Sequence, residues 1–536
     1  MVMDAESPAR PRTYFLQEAI ERGFSAIANR LDREQHYRPY FLLRLKPKPQ
    51  LEHHIWDLGD MCSRFTDAYL LGRPVTGSAA YKEEEEALRA MLGTCDPFLN
   101  PFMAGRMLLA YVDLYLDSPS EERREAVEKL AASIRDNLQH EGDYSYWFKN
   151  ADGWNTMEHA VFGDFNGYPT FPLGGIMLAL ARFTESVDAP DCEDLLDRMC
   201  RFVQNVSGTF EADGRYQGHT HSGGILTAAV AIMRRALRKN DTAVMEQMKN
   251  VFDWTLRFSS TWGWVPDGVG PDDASCESCT ITDAIHLGLL IARHIDESYY
   301  AILERFTRNQ LLENQFVHTA PMLPGGDFPE KPILERALYG SWASWSKPGS
   351  LDNCTESVEG CCLGAGIRAC YLVWDDIVTI RDGVVSVNMA LSRNSPWVEV
   401  VSYQPYEGKL DLHIHAAVEA LRVRLPDWVA REEAVLTVDG ETRAIAAGGI
   451  DNGCIRIEGL QHGQFVRLLY PLTNVETVEH VSGRDYQVRW RGDTVLSVTP
   501  AGQIYPLYQR KWMEQDSAPM TQGIPYAEQR GGNVHW

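Results

Sequence analysis

From about Tyr14 to Asp375, apolar residues recur every three or four positions, the spacing that lines one face of a helix, and polar or Gly/Pro-rich breaks separate the runs. The pattern predicts helices over Tyr14 to Leu31, Pro101 to Leu116, Gly174 to Phe183, Gly223 to Leu237, Ala243 to Phe258 and Thr280 to Ile295. Roughly a dozen such helices in one stretch suit an α/α toroid, whose inner helices surround a pocket built by the loops at one end. A helical solenoid would give similar text, but no fixed-period repeat is visible.

After Asp376 the period falls to two. Ile377 to Asp382, Val384 to Ala390, Trp397 to Tyr403, Lys409 to Ala416, Leu421 to Leu425, Val435 to Val438, Cys454 to Ile457 and Phe465 to Tyr470 alternate apolar with polar residues between turn-forming positions. Val438-Asp439-Gly440-Glu441 reads as a hairpin turn, and Arg424-Leu425-Pro426 as the end of a strand. The expected organisation is a multidomain chain, α then β, with a helical domain over 1–375, a jelly-roll-like β-sandwich over 376–516 and a C-terminal extension over 517–536.

Charge narrows the partners. A formal net charge of −23 opposes nonspecific attraction to nucleic acid and anionic membranes. No apolar run reaches membrane-spanning length, and the first residues carry neither a basic nor an apolar leader pattern. Eleven cysteines, an odd number without framework spacing, fit free thiols in a reducing cytoplasm. Fourteen Trp and 22 Tyr supply flat faces with polar edges that suit sugar rings. A homodimer is also open to a chain whose sandwich has a second face.

Two cysteine motifs carry the chemistry. Glu277-Ser278-Cys279 and Cys361-Cys362 each stand where a loop runs into helical text, and together they offer three thiols and a carboxylate, a donor set suited to tetrahedral zinc. Helix starts favour the thiolate form that a metal ligand or a nucleophile needs. The plainer reading is that these are small buried side chains. His219 and His221, before the helix from Gly223, are candidate substrate-binding residues, as are Trp154, His159 and Asp164 in a loop dense in polar and aromatic groups. The run Glu83 to Glu86 reads as a solvated helix face.

The segments Ser275-Cys276-Glu277-Ser278-Cys279-Thr280 and Glu359-Gly360-Cys361-Cys362-Leu363-Gly364 resemble the Glu-x-Cys and Cys-Cys motifs of glycoside hydrolase family 127, typified by β-L-arabinofuranosidases. Gln217-Gly218-His219 and Gly263 to Gly270 look like that family's Gly-His and glycine-rich segments. The resemblance implies an (α/α)6 barrel followed by a β-sandwich, with Zn2+ held by Glu277, Cys279, Cys361 and Cys362 and with Cys361 as nucleophile of a retaining glycosidase. The family's acid/base glutamate has no counterpart in the short stretch Pro271 to Cys276, where Asp267 and Asp272 are the candidate proton donors. The expected partner is a small saccharide or glycoside. Two rivals stay open: a non-hydrolytic carbohydrate-binding protein with a structural zinc, and a sugar lyase on the same fold.

Overall fold

The computed structural model describes residues 9–99, 101–147, 170–216, 221–269, 275–445, 450–451 and 453–521. Its helices, in chain order, are α1 (Leu16–Ala28), α2 (Cys62–Thr76), α3 (Lys82–Leu92), α4 (Pro101–Asp117), α5 (Glu121–Asn137), α6 (Thr170–Ser186) and α7 (Pro190–Arg201). They continue with α8 (Ser222–Lys239), α9 (Thr242–Leu256), α10 (Ser278–His294), α11 (Tyr299–Phe306), α12 (Lys331–Leu338) and α13 (Gly360–Ile377).

Six of them close a ring, α2 against α4, α6, α8, α10 and α13 in turn, with α13 returning to α2. Around it α3, α5, α7, α9 and α11 each pack on the inner helix beside them in sequence, and α1 packs on both α13 and α2. This is the expected (α/α)6 barrel. The sequence distinguishes the two layers. Outer α5 buries only Val127, Leu130, Ala131 and Ile134, one stripe at helical spacing, whereas inner α10 is buried from Ser278 through Ala292. Inner helices also approach closely where side chains are absent: a methyl added to Gly105 of α4 would stand 2.8 Å from the backbone nitrogen of Ile176 in α6.

Beyond α13, strands form a five-stranded sheet, (Ile450–Asp451)-(Cys454–Glu458)-(Ala420–Arg424)-(Val384–Val387)-(Val378–Arg381). A six-stranded sheet runs (Arg393–Asn394)-(Val398–Ser402)-(Lys409–Ile414)-(Phe465–Leu469)-(Val435–Val438)-(Glu441–Arg443). Their apolar faces, including Val385, Leu421 and Ile455 from one sheet and Val400, Leu412 and Val466 from the other, join one core, the expected sandwich. The hairpin forms as read: Asp439 and Gly440 both have positive φ, 51° and 84°, the geometry of a two-residue turn that twists with its strands.

Three features depart from the sequence reading. Leu42–Arg44 pairs with both Gln50–Glu52 and Ser357–Glu359 inside the helical part, in strands too short to show alternation. A further sheet of Asn474–Val481, Arg484–Arg491 and Thr494–Thr499 follows the last expected strand; its first strand leaves Val475 and Val478 exposed, so burial does not set its pattern. The acidic run is only half solvated, because Glu84 and Glu85 are buried and ion-paired, Glu84 with Arg33 and Glu85 with Arg73 and Arg89.

The seam between barrel and sandwich is closed by charge. Glu304 of α11, fully buried, accepts from Arg308 at 2.8 Å, from Arg424 of the sandwich and from the backbone N–H of Ala390 at 3.0 Å. Nearby, Arg305 pairs with Asp493 at 2.8 Å.

Candidate active site

Both cysteine motifs start inner helices, and both start them in the same way. Glu277 is the extended residue before α10 (φ −97°, ψ 139°) and Glu359 the extended residue before α13 (φ −87°, ψ 148°), so each helix opens Glu-x-Cys. Because α10 and α13 are neighbours in the ring, the two openings face each other. Ligand atoms of Glu277, Cys279, Cys361 and Cys362 all lie within 4.8 Å of one another. Sγ of Cys279 is 3.7 Å from Sγ of Cys362, and Oε1 of Glu277 lies 3.5 Å from Sγ of Cys361 and 3.4 Å from that of Cys362.

The electrostatics show what this cluster lacks. Thiol hydrogen bonds from Cys361 and Cys362 hold Cys279 well below the usual thiol range, while the bond to Cys279 pushes Cys361 up and burial pushes Cys362 up. Burial and the Cys279 thiolate raise Glu277 well above the carboxylate range. Ionising any one of the four thus opposes ionising the others. Oε2 of Glu277, also buried, accepts no hydrogen bond among the described residues. A divalent cation suits this donor set, since three sulfurs and one carboxylate oxygen complete a tetrahedral zinc shell and remove the repulsion.

Around the cluster stand four more groups, His221, Asp267, Glu359 and Arg64. His221 has left-handed backbone (φ 60°) at the start of α8, and its Nδ1 accepts from the N–H of Gly224 at 3.2 Å, which leaves Nε2 to face Oε2 of Glu277 at 3.4 Å. Burial lowers its pKa to about 4, so it is neutral at physiological pH. Asp267 joins His221 and Glu277 in a second group of ligand atoms within 4.8 Å of one another. It is half-buried and fixed by the Thr280 hydroxyl, which donates to Oδ1 at 2.9 Å; burial raises its pKa to about 7 against that bond.

Glu359 is the residue the sequence reading passed over. Its Oε2 lies 3.7 Å from Sγ of Cys361, and burial followed by the Cys279 charge raises its pKa to about 7. The signal was present: Glu359-Gly360-Cys361 repeats the spacing of Glu277-Ser278-Cys279. Arg64 of α2 was also missed, because only the closed ring brings it to the site, its Nη1 3.9 Å from Sγ of Cys279 and its Nε 2.8 Å from Asp60.

Of the other expected site residues, Trp154, His159, Asp164, His219 and Asp272 lie outside the described residues. Cys276 and Cys354 are buried away from the ligand set, and Cys354 donates to the Trp345 carbonyl at 2.6 Å. All eleven cysteines are unbridged. Among the described residues, no helix is long and apolar enough to cross a membrane.

No family model matches the chain, and no curated protein matches it in sequence. Solved structures do match its fold. Ara127N-Se, a GH127 β-L-arabinofuranosidase from Geobacillus stearothermophilus T6, has a TM-score of 0.57 at 15% identity, covering 91% of this chain and 86% of that one. The GH127 β-arabinofuranosidase BT3674 has a TM-score of 0.59 at 13% identity over 91% of this chain and 84% of its own, and a structure described as a glycoside hydrolase has 0.59 at 12% identity over 92% and 82%. The likeness spans barrel and sandwich together.

Proposed function

We propose that the protein is a glycoside hydrolase with a zinc site at Glu277, Cys279, Cys361 and Cys362, related to the family 127 enzymes whose fold it shares. The observation that carries this reading is the convergence of those four ligand atoms within 4.8 Å at the mouths of two inner helices, with the two half-buried carboxyls of Asp267 and Glu359 beside them. When bound, zinc would hold the sulfurs as thiolates at neutral pH.

Each residue then has a task. Cys361 is the nucleophile: its Sγ attacks the anomeric carbon as the bond to the leaving oxygen breaks. Glu359, 3.7 Å from that sulfur, would take the Cys361 proton when the ion binds, so that the sulfur is already a thiolate when it attacks. Asp267, protonated below about pH 7, donates its proton to the leaving oxygen. In the second half, water attacks the anomeric carbon, Asp267 as carboxylate takes the water's proton, and the carbon–sulfur electrons return to Cys361, giving net retention. Neutral His221 donates a hydrogen bond from the wall of the site. A pentofuranoside such as a β-L-arabinofuranoside is the first substrate to test.

The experiment combines metal analysis of the purified protein with a screen of aryl glycosides and intact-mass spectrometry. About one zinc per chain and a glycosyl adduct, lost in Cys361→Ser together with a fall in kcat on the order of 10⁴-fold or more, are expected. Zinc without turnover of any glycoside would favour the carbohydrate-binding alternative.

A further inference from the structure

Beneath the ligand cluster the barrel interior holds a layer of buried charge. Arg64 pairs with Asp60 at 2.8 Å, and Arg368 of α13 donates through two nitrogens to Oδ2 of Asp67, at 2.9 and 2.6 Å. Arg106 of α4 breaks the pattern. It is 6% exposed, yet among the described residues it makes no hydrogen bond and no ion pair, and its Nε is shut away from solvent without an acceptor. Asp283, an acid whose field reaches Arg106, makes no ion pair with it among the described residues.

Arg106 is linked to the same site through aromatic rings. Its guanidinium lies over the Phe102 ring, 5.0 Å from the centroid, and Arg64 lies over that ring at 5.7 Å. Phe102 stacks on Phe171 at 4.5 Å, and Phe171 meets the His221 ring edge-on at 4.6 Å. His221 in turn faces Glu277. One aromatic stack therefore connects the unpaired cation to the candidate zinc ligands. Burial, then Arg64 and Arg368, press the pKa of Arg106 down to about 10 against the support of Asp60 and Asp283.

A buried, planar, permanently charged fork without a partner is complementary to one ligand chemistry above others, a carboxylate held by paired N–H···O bonds. A neutral pentose could accept from one N–H but would bring no charge and no paired acceptors to the fork. We infer that the sugar bound here carries a carboxylate that pairs with Arg106, so that the substrate class is a glycoside of a sugar acid. This deepens the glycosidase reading above and rests on it for turnover, whereas recognition of the carboxylate is a matter of binding alone.

The test therefore measures binding apart from turnover. The zinc-loaded protein is titrated calorimetrically with free D-glucuronate and D-galacturonate, with D-glucose and D-galactose as neutral counterparts, and with sodium sulfate. At least one uronate is expected to bind ten-fold or more tighter than its neutral counterpart. Arg106→Met should abolish that preference and leave the neutral sugars unchanged, and Arg106→Lys, which keeps the charge but not the fork, should lose most of it. Thermal melting of both variants establishes that they are folded; should the Met variant fail to fold, Arg106→Lys decides alone. No uronate preference, a preference that survives in the folded variant, or sulfate binding as tightly as the best uronate would each overturn the assignment. If an Arg106-dependent preference is found while aryl uronides are not cleaved, the recognition stands and the hydrolase reading fails. Cleavage of neutral aryl pentosides without uronate preference has the reverse meaning: the hydrolase reading stands and the carboxylate assignment fails.

Discussion

Glu304 and Glu277 are both buried carboxylates at junctions of the fold, and the protein treats them in opposite ways. Burial would raise the pKa of Glu304, but Arg308, Arg424 and the Ala390 N–H hold it below the usual range. Glu277 faces three thiols, keeps one oxygen unsatisfied and is pushed well up. The seam between barrel and sandwich thus balances its own charge, whereas the candidate site offers donors that a cation from outside would complete. A buried acid with its counterions in the chain is a structural joint; one without them is a binding site.

The contrast is open to attack from both sides. The largest effect belongs to the site: Cys279→Ser should lower zinc affinity by at least ~10²-fold, read as metal content after dialysis, with glycosidase activity lost in parallel. Zinc retained at wild-type stoichiometry would break the comparison. Next comes the seam. Arg424→Met leaves Glu304 with one guanidinium and should destabilise the fold by about 3 kcal/mol in denaturant unfolding, with zinc content unchanged. A metal loss there would mean the two regions are not independent.

The smallest effect sharpens the role of Asp267. Its raised pKa keeps it protonated below about pH 7, so kcat/KM should fall as pH rises through that value. The Thr280 hydroxyl favours the ionised form, so Thr280→Val should move this alkaline limb to higher pH while changing the plateau only a few-fold. A limb that moves down, or one that persists in Asp267→Asn, would assign the proton to Glu359.

Much of this was legible in the chain because local rules decide it. Apolar residues at helical spacing placed α4, α8 and α10 within a few positions, and Asp439-Gly440 placed a hairpin whose positive φ values those residues tolerate. The four candidate ligands, which the fold brings within 4.8 Å of one another, were legible from two short motifs. What escaped depends on ring closure: Arg64 and Arg106 sit in unremarkable helical text and acquire meaning only when α2 and α4 come round to face α10 and α13. Glu84 and Glu85 escaped for a related reason, since their arginines arrive from α2 and from the segment after α1 as well as from their own helix.

Cys361 lies 84 residues beyond Glu277, and the two motifs come together only where α10 packs against α13. A half-built barrel therefore owns one sulfur on one side and two on the other, and neither set can grip an ion firmly. On the proposed reading, uptake of metal would be a receipt for the meeting of those two helices: a chain in which they had not met would remain invisible to zinc.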